Sequence, residues 1–278
     1  MVLPLFFACL LGPIVISMQQ EILLCSPEFF EVSYSINPWM KGEAVCSKTA
    51  MDQWIDLVVA ISSLGGKIHL MMPRPGLPDM VFTANAGVVY GRKFVISNMK
   101  HEERKSESAH FKEWFEHNGY ETLSVSHNLD FEGCGDVIIH KDTMIAGHGY
   151  RSDLLAHKEV ASMLDIDLIS LELNDPRFYH LDTCFCVVEE KTAIYYPGAF
   201  KEGEIKKLEN VLDLIPITEN DALLFVCNSL KLNDTLLIPT NQSEIEKTLK
   251  ERKIKTQYVD VSEFLKSGGS IQCLSLRL

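Results

Sequence analysis

Positive charge is scarce in this sequence. Lys and Arg number 26 against 38 Asp and Glu, which gives a formal net charge of -12 at pH 7. Without a basic face to meet phosphates, nucleic acid and anionic membrane surfaces are not expected partners, and a small molecule, favoured if cationic, is. The chain also lacks low-complexity linkers and Pro-rich hinges, so nothing in it divides two separable domains. Its eight cysteines lack the regular spacing of a disulfide framework, in a chain of 278 residues that needs no stapling. Reduced thiols and a cytoplasmic enzyme follow as expectations. Four-ligand zinc spacing is missing too, because His180, Cys184 and Cys186 are followed by no second Cys/His pair. No metal site is expected.

What is present begins with a hydrophobic content of 46%, enough for a full core. Residues 1–17 are apolar, carry no Lys or Arg and end in Val15-Ile16-Ser17. They fall short of a membrane span of about 20 residues, and read as an upstream extension or a targeting segment. The catalytic domain is expected over 18–278. Helical periodicity with a polar face recurs five times, near 48–63, 105–119, 152–164, 202–212 and 243–252. Gly65-Gly66 and Asn118-Gly119 close the first two of these. Between them lie short β-branched runs such as 87–90, 94–97, 137–140, 184–188, 192–196, 235–239 and 257–261. The helix starts advance by about 40 to 57 residues, the spacing of a strand-strand-helix unit repeated around an axis.

Four distant segments hold the unusual residues: Leu77-Pro78-Asp79-Met80-Val81-Phe82-Thr83-Ala84-Asn85, Phe131-Glu132-Gly133-Cys134-Gly135-Asp136, His180-Leu181-Asp182 and Gly268-Gly269-Ser270-Ile271-Gln272-Cys273-Leu274-Ser275. Singly, each has a plain structural reading as turn, strand end or core. Together and in this order they resemble the guanidino-group modifying enzymes, from about Glu21 to Leu278. The Gly-Gly-x-x-x-Cys-x-Ser ending and the His-x-Asp are the most specific parts. The resemblance implies a pentein fold, a five-bladed α/β propeller of pseudo-fivefold repeated units, in agreement with the five helical segments.

It also implies roles. Cys273 matches the nucleophile, which must act as a thiolate, and His180 the general acid and base. Glu132 matches the acid that orients the histidine, with Asp136 as the fallback because the Glu-Gly-Cys-Gly-Asp run is one residue longer than in several relatives. Asp182 matches a carboxylate that binds guanidinium nitrogens. If 180–186 is a strand, His180 and Asp182 share a face. Asn85 stands where arginine deiminases and dimethylargininases carry a second Asp, and Asp79 stands where it offsets that lost charge. Arg104 and Arg151, each 19 residues after Asn85 and Glu132, match arginines that clasp a substrate carboxylate. The activity implied is hydrolysis of a guanidino group through a covalent thiouronium, giving a ureido product such as citrulline, with no metal or organic cofactor. The alternatives are amidine transfer, hydrolysis of a ureido substrate and a non-catalytic pentein binding protein. The short chain favours the dimethylargininase side, and a homodimer is compatible with it.

Overall fold

A computed structural model describes residues 19–278, so the apolar segment 1–17 lies outside the described residues. The described strands form five sheets of three, each built to one plan. A first strand pairs antiparallel with a second through a tight connection, and the second pairs parallel with a third after a crossover, which parallel pairing requires. Gly87–Tyr90, Lys93–Ile96 and Glu121–Ser124 form one such unit. The next two are Val137–His140, Thr143–His148 and Asp167–Glu172, then Phe185–Glu189, Thr192–Tyr195 and Asp213–Pro216. Leu230–Leu232, Thr235–Ile238 and Lys255–Tyr258 form another. The remaining unit joins the two ends of the chain: Leu276–Arg277 pairs antiparallel with Glu21–Cys25, which runs parallel to Lys67–Met71. This is the pseudo-fivefold pentein arrangement.

The crossovers are the expected amphipathic helices, the first longer by one residue and the others trimmed at one or both ends: Ser47–Ser63, Glu107–His117, Leu154–Leu164 and Ile245–Glu251. In the first, Ala50, Trp54, Leu57 and Ile61 recur at helical spacing and are buried against Ile22 and Leu24. Burial of a Leu57 or Ile61 side chain contributes about 1.5–3 kcal/mol. In the second, Phe115 stacks on Phe94 of its sheet with ring centroids 3.6 Å apart.

The helix expected at 202–212 is instead a 3-10 stretch, Glu204–Leu208. Ile205 and Leu208 lie in it three residues apart, as a 3-10 turn repeats, while Val211 and Leu212 fall in the irregular stretch between it and the strand at Asp213. Strands such as Lys67–Met71 and Glu121–Ser124, outer members of their sheets, escaped the sequence reading because they are half-exposed and carry no apolar run. Among the described residues no helix is long and apolar enough to cross a membrane.

The repeat fixes where chemistry can sit. The residue two or three places before each first strand lies at the end of a turn: Asn85 before Gly87, Cys134 before Val137, Asp182 before Phe185, Asn228 before Leu230 and Cys273 before Leu276. Five turns therefore converge from residues far apart in sequence. A stretch without regular structure, from Ser26 to Cys46, packs over them. Tyr34 donates to Asp79 at 2.9 Å, Ile36 accepts from Arg151 at 2.8 Å, and the Trp39 indole donates to the Arg177 carbonyl at 2.7 Å.

Candidate active site

Cys273 lies in the last turn, 2% exposed, with its sulfur 3.2 Å from Asp182 Oδ2. The Gly268-Gly269 pair ahead of it is required by geometry. Gly268 has φ +80°, and a Cβ on Gly269 would come within 2.2 Å of the Phe82 ring. Burial pushes the Cys273 thiol up, and the negative Asp182 pushes it further, while the Ser270 amide and Asn228 act in the opposite direction. Asp182 is itself pushed up to about 7 by burial, against the hydrogen bonds from Cys273 and Asn228. Its second oxygen, Oδ1, has no hydrogen-bond partner among the described residues.

The strand runs from Phe185 to Glu189, close to the 184–188 run of the sequence, so the condition that 180–186 is a strand is not met for His180 and Asp182. They flank and enter a 3-10 turn, Leu181–Thr183, closed by Thr183 Oγ1 and Thr183 N on the His180 carbonyl at 2.6 and 3.2 Å. Thr183 and Cys184 both find turn acceptors there, which ends the extended backbone at His180 and delays the strand to Phe185–Glu189. The two side chains come from a turn, with Leu181 between them, and not from one face of a sheet.

His180 Nε2 meets Glu132 Oε2 at 2.8 Å, and Arg151 Nη1 donates to the same oxygen at 2.8 Å. Glu132 Oε1 accepts from the Lys100 amide at 3.2 Å. Burial works against the Glu132 charge, but Arg151, followed by His180, holds its carboxyl well below the usual carboxylate range. A carboxylate only accepts, so Nε2 carries the hydrogen and Nδ1 keeps its lone pair. Burial depresses His180 to about 4, against the pull of Glu132, so the imidazole is neutral near pH 7. Gly135 leaves room for this ring: a Cβ there would lie 3.0 Å from His180 Nδ1 and 2.4 Å from Asn85 Nδ2.

Glu132, not the fallback Asp136, is the partner of His180. Asp136 accepts from Ser152 Oγ at 2.6 Å and the Leu181 amide at 3.2 Å, bracing the histidine turn from behind. Arg104 forms a two-pronged pair with Glu107 at 2.9 and 2.8 Å and donates to Asn85 Oδ1 at 2.8 Å. That contact fixes the Asn85 amide, whose Nδ2 is left unpartnered among the described residues. Asp79 accepts from Tyr34 and from Ser267 Oγ at 3.1 Å and lies 4.0 Å from Arg104 Nε. Burial pushes its carboxyl up, against Arg104.

Asp79, Asn85, Arg104, Arg151 and Cys273 line one small cavity, walled also by Ile36, Asn37, Phe82 and Tyr179. Asp182 borders a second, larger cavity lined also by Cys134, Phe185, Cys186 and Arg277.

Two residues in the site were missed by sequence reasoning. Glu107 holds Arg104, and the three-residue spacing on a helical segment was the available signal. Asn228 donates to Cys273 Sγ at 3.1 Å and accepts from the Cys273 amide at 3.1 Å. Its signal was the repeat itself, since it occupies in its unit the place Asn85 occupies two residues before another first strand.

Residues 33–278 match the family described as N,N dimethylarginine dimethylhydrolase, eukaryotic. The bifunctional arginine dihydrolase/ornithine cyclodeaminase ArgZ of Synechocystis is 39% identical over 265 residues, covering 93% of this chain but 37% of its own length. The chain thus spans little more than a third of that relative. The N(G),N(G)-dimethylarginine dimethylaminohydrolase of Mycobacterium tuberculosis is 37% identical over 254 residues, with 91% and 83% covered. The N-terminal domain of ArgZ, solved with bound substrate, superposes with a TM-score of 0.90 at 38% identity, covering 93% of this chain and 98% of that one. A variant of the same domain was solved covalently bonded to a reaction intermediate, again with a TM-score of 0.90 and 38% identity, covering 93% and 97%.

Proposed function

The chain belongs to the eukaryotic N,N-dimethylarginine dimethylhydrolase family, and from that premise we propose that it hydrolyses the guanidino group of a small arginine-like substrate, giving a ureido product such as citrulline and an amine. One observation carries this reading. The Cys273 sulfur lies 3.2 Å from Asp182, a buried carboxylate with an unpartnered oxygen, and His180, two residues before Asp182 in the same turn, is a neutral histidine whose own carboxylate is already matched by an arginine. A guanidinium suits this site because it brings both the charge Asp182 needs and an electrophilic carbon next to the sulfur.

The reaction runs in two displacements. A cationic substrate beside Asp182 and Cys273 lowers the cost of the thiolate, whose proton passes to the free Nδ1 of His180. The sulfur attacks the guanidino carbon, and His180 returns the proton to the departing amine, leaving an S-alkylthiouronium on Cys273. Glu132 and Arg151 hold the imidazole in the tautomer that carries out both transfers. His180 then takes a proton from water as its oxygen adds to the same carbon, and the collapsing adduct releases the ureido product and the thiolate. Arg104 and Arg151 line the cavity and fit the carboxylate of an amino-acid substrate.

The test is incubation of the purified protein with arginine, its methylated forms and citrulline, followed by mass spectrometry. Turnover of one guanidino compound to a ureido product is expected, with a thiouronium adduct on Cys273. Transfer of the amidine to an added amine such as glycine, in place of hydrolysis, would reverse the choice of reaction. Equal turnover by Cys273→Ser would end the mechanism. Selective labelling of Cys273 by a haloacetamidine separates an enzyme from a pentein that only binds, since a binder has no reason to activate one thiol above the others.

A further inference from the structure

The turn before Leu230–Leu232 delivers a side chain that no motif singled out. Asn228 is fully buried, and every polar atom of its carboxamide is engaged. Oδ1 accepts from the Cys273 amide at 3.1 Å, while Nδ2 donates to the Asp182 carbonyl at 3.1 Å and to Cys273 Sγ at 3.1 Å. Turning the amide over would set oxygen against the Asp182 carbonyl and N–H against the Cys273 N–H, so its orientation is determined. The backbone is tied as well: Asn228 N donates to Phe225 O at 2.9 Å, and Asn228 O accepts from Gln272 N at 3.1 Å.

The sulfur is in an environment that opposes its ionisation. It is buried, and the nearest charged group, Asp182 Oδ2, lies 3.2 Å away. Asn228 Nδ2 is the side-chain donor that points at it. A hydrogen bond to the charged form of a group favours that form, and in a buried site it is worth more than at the surface.

We propose that Asn228 is a catalytic residue, whose Nδ2–H stabilises the Cys273 thiolate while its Oδ1 fixes the backbone that carries the sulfur. It is the contribution to the site of the unit that begins at Leu230–Leu232, standing where other units place Asn85, Asp182 and Cys273. The proposal rests on Cys273 being the nucleophile, and is independent of which guanidino compound is the substrate.

Alkylation of Cys273 by iodoacetamide across a pH series, read by peptide mass spectrometry on the full chain, tests it without any substrate. Asn228→Ala and Asn228→Asp should each move the alkylation midpoint to higher pH and slow the reaction at neutral pH by about tenfold or more. The plateau at high pH should be retained. Asn228→Ser, which keeps a hydroxyl donor, should shift less. A residue that only braced the turn would change melting temperature or plateau and leave the midpoint in place. A parental midpoint in the variants that keep the parental circular dichroism overturns the proposal. Asn228→Asp, nearly identical in shape, decides if the alanine variant does not fold. A parental Cys273 that a haloacetamidine, whose charge suits Asp182, labels no faster than the other buried thiols would instead remove the nucleophile reading on which the proposal stands.

Discussion

Glu132 and Asp182 are equally buried, yet they respond to burial in opposite ways because of their neighbours. Glu132 has Arg151 at 2.8 Å and His180 at 2.8 Å and is held far below its ordinary range. Asp182 has only a thiol and an amide beside it and is pushed up to about 7. The base half of the site is matched within the chain, and the nucleophile half is not. A buried charge without a partner is costly, so an unmatched carboxylate beside a nucleophile favours a ligand that brings a cation. The substrate class can thus be read from which of two carboxylates the protein leaves unmatched.

The largest effect comes from removing the centre of the unmatched half. Cys273→Ser should lower turnover roughly 10³-fold or more in steady-state assays with any guanidino substrate, since a hydroxyl is the poorer nucleophile. Breaking the matched half comes next. Glu132→Gln should reduce kcat by roughly 10²-fold or more through the misdirected histidine. It should also lower the melting temperature, because a buried Arg151 losing its partner costs about 3 kcal/mol or more. If activity fell and thermal stability did not, Arg151 would not depend on Glu132.

Asp182→Asn sharpens the contrast because its two effects differ in sign. Turnover of a cationic substrate should fall by about tenfold to a hundredfold, the range for a hydrogen bond to a charged group. Alkylation of Cys273 by neutral iodoacetamide should accelerate, because a negative neighbour has gone. Slowing of both reactions would contradict the role given to Asp182.

The smallest effect is on stability against pH. Asp182, raised from 3.8 to about 7, favours the folded state most below the lower value, and that contribution is lost as pH rises through about 7. His180, depressed from 6.5 to about 4, behaves in reverse: its contribution is present above 6.5 and lost as pH falls through about 4. Asp182→Asn removes only the first. The variant should therefore melt above the parent near neutral pH by a few degrees, and the gap should close as pH approaches about 4. Thermal melts of both ligand-free proteins across that range check this, and a gap that widens toward acid would show that Asp182 is matched after all.

Much of the site was legible because Cys273, His180, Glu132 and Asp182 sit in motifs whose residue types suit one chemistry. Asn228 was not, because an Asn in Cys-Asn-Ser reads as a turn residue until the repeat gives its position meaning. Helical periodicity located four crossovers, and failed at 202–212, where the apolar spacing is carried by a short 3-10 stretch and the irregular residues after it. The turn at His180–Thr183, just before the strand expected at 184–188, was not legible because the acceptors that close it are backbone groups, to which the sequence pattern is blind.

The sequence by itself determined the number and order of the units, the amphipathic crossovers and the residue types available for chemistry, because these depend on local period and local turn chemistry. Only the tertiary structure decided which carboxylate is matched by a cation and which stands alone. Those pairings join residues far apart in the chain, 48 from Glu132 to His180 and 91 from Asp182 to Cys273. The residues meet only because five turns converge and the last strand pairs with the first.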